Sequence, residues 1–244
     1  MPVHWSGRIC DMNDLNKIAK KYKIKVIEDS CHAILASLKG KIAGNFGDFG
    51  CFSMHPLKNL NVWGDGGFIL TNKKAYYEKL MLLRNHGLIS RNINKIFGYN
   101  SRLDTIQATV ALYMLKKIKK ITNKRILNSM LIEKSLKNIN EIILKKRFKN
   151  LKEVFHLYEF RVKNKKIRKN LINHLLKNGI DAKIHYPVPM HLQPASKQYG
   201  YSVGDFPVCE NISETTISLP VHEFINKKHI IFMIKKIKEF FNEN

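Results

Sequence analysis

The sequence lacks any apolar run near the roughly 18 residues that a membrane-spanning helix requires, so no helical bilayer crossing is expected. Its first residues, MPVHWSGRICDMND, have neither the charged start nor the apolar centre of a secretory leader. A cytoplasmic location is the resulting expectation. Cysteine is scarce: Cys10, Cys31, Cys51 and Cys209 form no CxxC pair and keep no regular spacing. A disulfide framework or a zinc cage is therefore not expected, and reduced, mostly buried thiols are. No metal ligand set emerges from the sequence. There are no internal repeats and no low-complexity linker. Acid is also short, with 19 Asp and Glu against 43 Lys and Arg, a formal net charge of +24.

Such a charge raises the question of nucleic acid. The basic residues, however, are scattered through segments such as KKIKK (116–120) and KNKKIRK (163–169), among abundant Ile and Asn. No zinc-finger or RNA-binding signature accompanies them. Charge alone gives salt-sensitive, non-specific attraction, so no specific nucleic-acid partner is expected. Steering of small anionic substrates is the simpler reading.

What is present is a core-sized chain of 244 residues with 44% hydrophobic residues, enough for one large or two modest domains. Asp11 and Asp14 precede Leu15, Ile18, Ala19 and Tyr22, which predicts a capped helix over about 12–22. KIKVIED reads as a buried parallel strand, and FGCFS (49–53) and GFILT (67–71) as two more. PVHWSG at the start reads as a further strand. Helices are expected at 73–84, from Asp104 through Ile118, and over about 122–138. The pattern then changes: VFHLYEFRV (154–162) has strand alternation, 165–178 is helical with Gly179 as its stop, IDAKIHYP reads as a strand, and 226–242 as a final amphipathic helix. The order predicts an α/β part over 1–125, and over 126–244 a helical connector leading into a small α+β domain.

Four local features carry chemistry. Asp29 in VIEDSCHA stands at the carboxyl end of a predicted parallel strand, where open α/β sheets place their ligands. Ser53 ends the next strand, Lys58 follows it by five residues, and Gly-Asp-Gly-Gly (64–67) leads into the third. Taken singly these are a helix cap, a turn serine, a solvated lysine and a tight turn. Together they match what pyridoxal phosphate chemistry needs. The chemistry calls for an amine that can be desolvated to attack a carbonyl, a carboxylate to keep a ring nitrogen protonated, and a hydroxyl for a phosphate.

The segments VIEDSCHA, GDFGCFSMHPLKNLNVWGDGGFILTN, LRNHG, GYNSRLDTIQA and IHYPVPMHLQPA resemble the DegT/DnrJ/EryC1/StrS sugar aminotransferases, pyridoxal phosphate enzymes of fold type I. The resemblance implies a mostly parallel large-domain sheet and a small C-terminal α+β domain. It implies that Lys58 forms the Schiff base and shuttles the proton, and that Asp29 pairs with the pyridinium. Ser53 would bind the phosphate, and His32 would stand where the family has a glutamine against the cofactor ring. Asn100, in GYN, would reach the cofactor phosphate of a neighbouring subunit, implying a homodimer with shared active sites. His185, Tyr186 and His191 would lie near the substrate entrance. Related C3 dehydratases carry histidine in place of the lysine, so Lys58 favours transamination. The implied substrates are a nucleotide-linked keto-sugar and an amino donor, glutamate or glutamine, yielding an amino sugar for surface polysaccharide or a related glycan.

The family also has a long stretch before the segment resembling Pro2–Gly7, with three strands and a phosphate-holding loop at a helix N-terminus. The expectation is therefore a fragment that either holds the cofactor weakly by itself or works with an upstream polypeptide. The alternative is a catalytically inactive remnant or dimerising pseudo-enzyme of the same family.

Overall fold

The computed structural model describes residues 1–242. Along the chain lie α1 (Met12–Lys21), β1 (Ile27–Asp29), the short hairpin β2 (Ser37–Leu38) and β3 (Lys41–Ile42), then β4 (Phe49–Ser53), β5 (Gly67–Leu70) and α2 (Lys74–Leu83). A second short hairpin, β6 (Leu88–Ser90) and β7 (Ile93–Asn94), precedes α3 (Thr105–Leu115) and α4 (Ile118–Leu136). The remainder holds β8 (Ile142–Ile143), β9 (Leu151–Lys152), β10 (Tyr158–Val162), α5 (Lys165–Lys177), α6 (Pro207–Thr215), β11 (Thr216–Leu219) and α7 (Lys227–Asn242). No helix among the described residues is long and apolar enough to cross a membrane.

The chain divides into two compact units: Met1–Asn123 with Phe148–His156, and Lys124–Arg147 with Leu157–Asn244. In the first, β1 pairs parallel with β4, and β4 pairs antiparallel with β5. The expected strand at PVHWSG is reduced to a single parallel bridge between Val3 and Asp29. The cause is local: Ser6 and Gly7 take left-handed backbone angles, which turn the chain away from the sheet after His4.

Asp11 caps α1 by accepting a hydrogen bond from the Asp14 amide at 3.4 Å. The expected apolar stripe is not buried, Leu15, Ile18 and Tyr22 staying exposed, and the buried residue of the helix is Met12 in its first turn. Met12 joins Ile9, Val26, Ala33, Ala36 and Val154 in one core. A second core gathers Met54, Leu60 and Val62, from the segment after β4, with Ala111 and Ile118. The single helix expected from Asp104 to Ile118 is broken after Leu115, and α4 starts at Ile118.

In the second unit β10 is the centre of an antiparallel sheet ordered β11-β10-β8. Tyr158, Phe160, Leu171, Leu175, Ile217 and Ile237 are all buried there. Asn164 caps α5, its side chain accepting from the Ile167 amide at 2.9 Å, and Gly179 follows the helix with φ 73°. Two expected strands are corrected. VFHLYEFRV pairs only from Tyr158, because Val154–His156 belong to the first unit and Phe155 has φ 48°. IDAKIHYP is not a strand: it touches the sheet by one bridge, Lys183 to Ser218. A tight turn from Ile180 to Ala182 (N···O 2.8 Å) and the prolines at 187 and 189, which have no N–H to donate, stop the ladder on either side.

Candidate functional site

The parallel register sets Asp29 opposite Cys51, so β1 ends two residues before Ser53, the last residue of β4. Two strand ends thus open at the same edge, and the chain leaving β4 forms the loop that carries Lys58. That loop is tied by its own polar atoms. Ser53 Oγ accepts from the His55 amide at 3.2 Å, His55 Nδ1 from the Leu57 amide at 3.2 Å, and the His55 carbonyl from the Lys58 amide at 2.8 Å. The residues beyond Lys58 are anchored in the core through Leu60 and Val62, 2% and 1% exposed.

Lys58 is half-buried. Burial pushes its amine below the usual lysine range, and the neighbouring Cys31 and Asp29 oppose that shift without cancelling it. The amine and the Asp29 carboxylate therefore share one neighbourhood. Asp29 Oδ1 accepts from the Cys31 amide at 3.1 Å, and the Asp29 backbone is held on both sides, its N–H on Pro2 O and its carbonyl on the His4 amide, each at 2.9 Å. Burial and then Asp29 push the Cys31 thiol up to about 12, so it stays protonated beside the lysine. Its Sγ donates to the Cys51 carbonyl at 3.7 Å.

His32 sits two residues beyond the β1 end. Its Nδ1 accepts from the Ser6 amide at 3.3 Å, and its ring lies between Trp5 and His156, with centroids at 5.1 and 4.1 Å. Asn100 lies elsewhere in the same unit, bridged to Asn85, and its Oδ1 accepts from Arg102 Nε at 3.2 Å. In the second unit His185 Nδ1 pairs with Ser218 Oγ at 2.9 Å, and burial lowers its pKa from the ordinary imidazole value. Tyr186 is 57% exposed beside it. His191 is used differently: its Nε2 meets Glu210 at 2.9 Å.

The structure thus sets Asp29 in electrostatic reach of Lys58, ties Ser53 to the loop that carries that lysine, and packs His32 against the tilted rings of Trp5 and His156. The sequence reading missed Ser6, Cys31, Asn59 and His156 as neighbours of these residues. Only Cys31 and Asn59 carried a signal, each lying next to or near a predicted site residue in the chain. No group of three or more His, Cys, Asp or Glu among the described residues could hold a metal ion. An amine with lowered basicity, a carboxylate and a hydroxyl at adjacent strand ends is instead a donor set that suits pyridoxal phosphate, with its aldehyde, its basic ring nitrogen and its anionic arm.

The DegT/DnrJ/EryC1/StrS aminotransferase family matches residues 1–238. A dTDP-3-amino-3,6-dideoxy-alpha-D-galactopyranose transaminase from Aneurinibacillus thermoaerophilus is 35% identical over 98% of this chain and 64% of its own length. A pleiotropic regulatory protein from Geobacillus stearothermophilus is 33% identical over 99% of this chain and 64% of its own. The crystal structure of S. venezuelae DesV in complex with a ketimine intermediate superimposes with a TM-score of 0.93 at 30% identity, covering 98% of this chain and 63% of that one. The chain thus spans just under two thirds of the length of these relatives. It belongs to the DegT/DnrJ/EryC1/StrS aminotransferase family, and its fold is that of the fold type I aminotransferases.

Proposed function

We propose, from this membership, that the chain carries the lysine-bearing part of a pyridoxal-phosphate-dependent aminotransferase acting on a nucleotide-linked keto-sugar, with glutamate or glutamine as amino donor. The observation that carries the reading is the pairing of a half-buried Lys58, its amine held below the usual range by burial, with Asp29 in electrostatic reach. The sugar-nucleotide substrate class rests on relatives named as dTDP- and UDP-sugar aminotransferases. When bound, pyridoxal phosphate supplies an aldehyde on an electron-withdrawing ring, which lets an amino group pass between donor and acceptor.

In this reading Lys58 would hold the cofactor through its aldehyde, its lowered basicity leaving more of the amine uncharged at neutral pH. The same amine would carry a proton between substrate and cofactor. The Asp29 carboxylate would hold a proton on the ring nitrogen. Ser53 Oγ already accepts the His55 N–H, which directs its own proton outward as a donor to the phosphate. His32 would pack against the ring. Asn100 reaches toward a neighbouring subunit's site in a homodimer, and His185, Tyr186 and His191 face the sugar nucleotide. The product is an amino sugar for surface polysaccharide or a related glycan, made in the cytoplasm.

The test is uptake of pyridoxal phosphate by the full chain, read as an absorbance band near the visible edge and as a borohydride-fixed mass increment on the peptide containing Lys58. Both are expected in the wild type and absent in Lys58→Ala. Equal labelling of the two proteins, spread over surface lysines, overturns the reading.

A further inference from the structure

Asn59, the residue after Lys58, is 3% exposed and faces a segment nearly a hundred residues away. Its Nδ2 donates to the Val154 carbonyl at 3.4 Å, and its Oδ1 meets His156 Nδ1 at 3.4 Å. The same His156 lays its ring against His32, with centroids 4.1 Å apart. The segment is held from its other side by the Val154 amide, which donates to Gly7 O at 3.0 Å. Gly7 permits this approach: its φ is 97°, and a Cβ there would sit 2.8 Å from Val154 Cγ2.

We propose that His156 and Asn59 are positioning residues that form one bridge, fixing the ring of His32 and the loop of Lys58 in register with each other. The bonding also assigns the tautomers. A backbone N–H only donates, so the Ser6 amide makes His32 Nδ1 the acceptor and leaves the His32 proton on Nε2. Asn59 spends its Nδ2 on Val154, so its Oδ1 faces His156, which carries its proton on Nδ1. A residue chain from one half of the site to the other thus runs Lys58, Asn59, His156, His32, and its His156 link comes from the returning segment 148–156. The inference rests on the reading of Lys58 and His32 as cofactor-facing, but its structural content stands in the protein without cofactor.

The first measurement needs no variant. Long-range proton–nitrogen spectra of the wild-type full chain are expected to show Nδ1–H at His156 and Nε2–H at His32; the reverse at either ring overturns the bridge. The second is amide hydrogen exchange. His156→Phe keeps a ring against His32 but loses the bond to Asn59, and Asn59→Ala removes the bond from the other end. Each is expected to speed exchange of the Lys58 and Ala33 amides together by about tenfold, the scale of one lost hydrogen bond, while the Phe160 amide in the second unit is unchanged. A rise at only one of the two amides, or an equal rise everywhere, argues against coupling. The third is the rate of borohydride-fixed pyridoxal phosphate capture at Lys58, expected to fall about tenfold both in His156→Phe, which loses the bond to Asn59, and in His156→Asn, which loses the ring against His32. An unchanged rate in either variant overturns the positioning role. If the wild type takes up no pyridoxal phosphate, the proposed function fails and the spectra and exchange still decide the bridge. If a variant does not fold, the wild-type spectra decide it alone.

Discussion

His4 Nε2 and Glu28 Oε2 meet at 2.8 Å with both side chains fully buried. The same carboxylate accepts the amides of Gly44 at 2.8 Å and of Phe46 and Gly47 at 2.6 Å, so it closes the loop before β4 and clips the first residues of the chain onto β1. Glu28 immediately precedes Asp29. The acid proposed to face the cofactor is therefore mounted on a strand whose preceding residue is anchored by four donors.

Glu28→Ala is expected to destabilise the first unit by about 3–5 kcal/mol, because it leaves three amides and an imidazole buried without an acceptor. Chemical denaturation followed at a tryptophan of that unit, Trp5 or Trp63, measures it. A loss below about 1 kcal/mol contradicts the anchor.

The same residue gives the fold a pH dependence. Burial works against the Glu28 charge, but His4 and the amides of Gly47 and Gly44 outweigh it and hold the carboxyl below its ordinary value of 4.5. A lowered folded-state pKa contributes stability that is present above the unfolded value and lost as pH falls through the folded one. The wild type should therefore lose stability on acidification below about pH 4.5 more steeply than Glu28→Gln, whose side chain has no charge to titrate. Parallel denaturation curves across that window show the difference in slope.

Lys58 should titrate below the exposed lysines, as burial dictates, and Asp29→Asn should lower it further because Asp29 is one of the two groups raising it. Reductive methylation with labelled formaldehyde, followed by proton–carbon spectra against pH, reads each lysine separately. A Lys58 amine that moves upward in Asp29→Asn contradicts the neighbourhood assigned to the pair.

Ser53→Ala is expected to weaken pyridoxal phosphate binding by about tenfold, the scale of one charge-assisted hydrogen bond, while leaving the Lys58 titration in the unliganded chain unchanged. Equilibrium dialysis and the methylation experiment together separate loss of the phosphate donor from disturbance of the loop.

In the second unit, Glu210 ties His191 to the amides of Gly204 and Phe206, at 2.9, 2.9 and 3.3 Å. Burial opposes its charge, and the Gly204 amide, His191 and the Phe206 amide together hold its pKa below the ordinary carboxyl value. Glu210→Ala should make the 200–206 loop the first site of limited proteolysis, and acidification of the wild type through the Glu210 titration should do the same. Unchanged cleavage in both cases shows that the loop is held by other contacts.

Much of this was legible along the chain. The Asp11 cap, the strand FGCFS, the Asn164-to-Gly179 helix and the shared edge of the β1 and β4 ends follow from local chemistry: a cap satisfies nearby amides, and parallel strands bring their carboxyl ends to one edge. The strand faces were not legible. In VIED the apolar Ile27 is 39% exposed and the charged Glu28 is 0% exposed, because four donors from distant segments gather on the acid. Nor could VFHLYEFRV show that its first three residues belong to one unit and the rest to the other.

The sequence by itself determined the family and most of the element order, and it singled out the amine, acid and hydroxyl proposed for the site, because these depend on residue types at short spacing. Only the tertiary structure decided what surrounds them. Burial, the His4–Glu28 anchor and the His32–His156–Asn59 chain all join residues far apart in sequence. Such contacts exist only once the chain has folded back on itself; burial, opposed by Cys31 and Asp29, lowers the basicity of Lys58, and the ring and amide contacts hold His32 and His156.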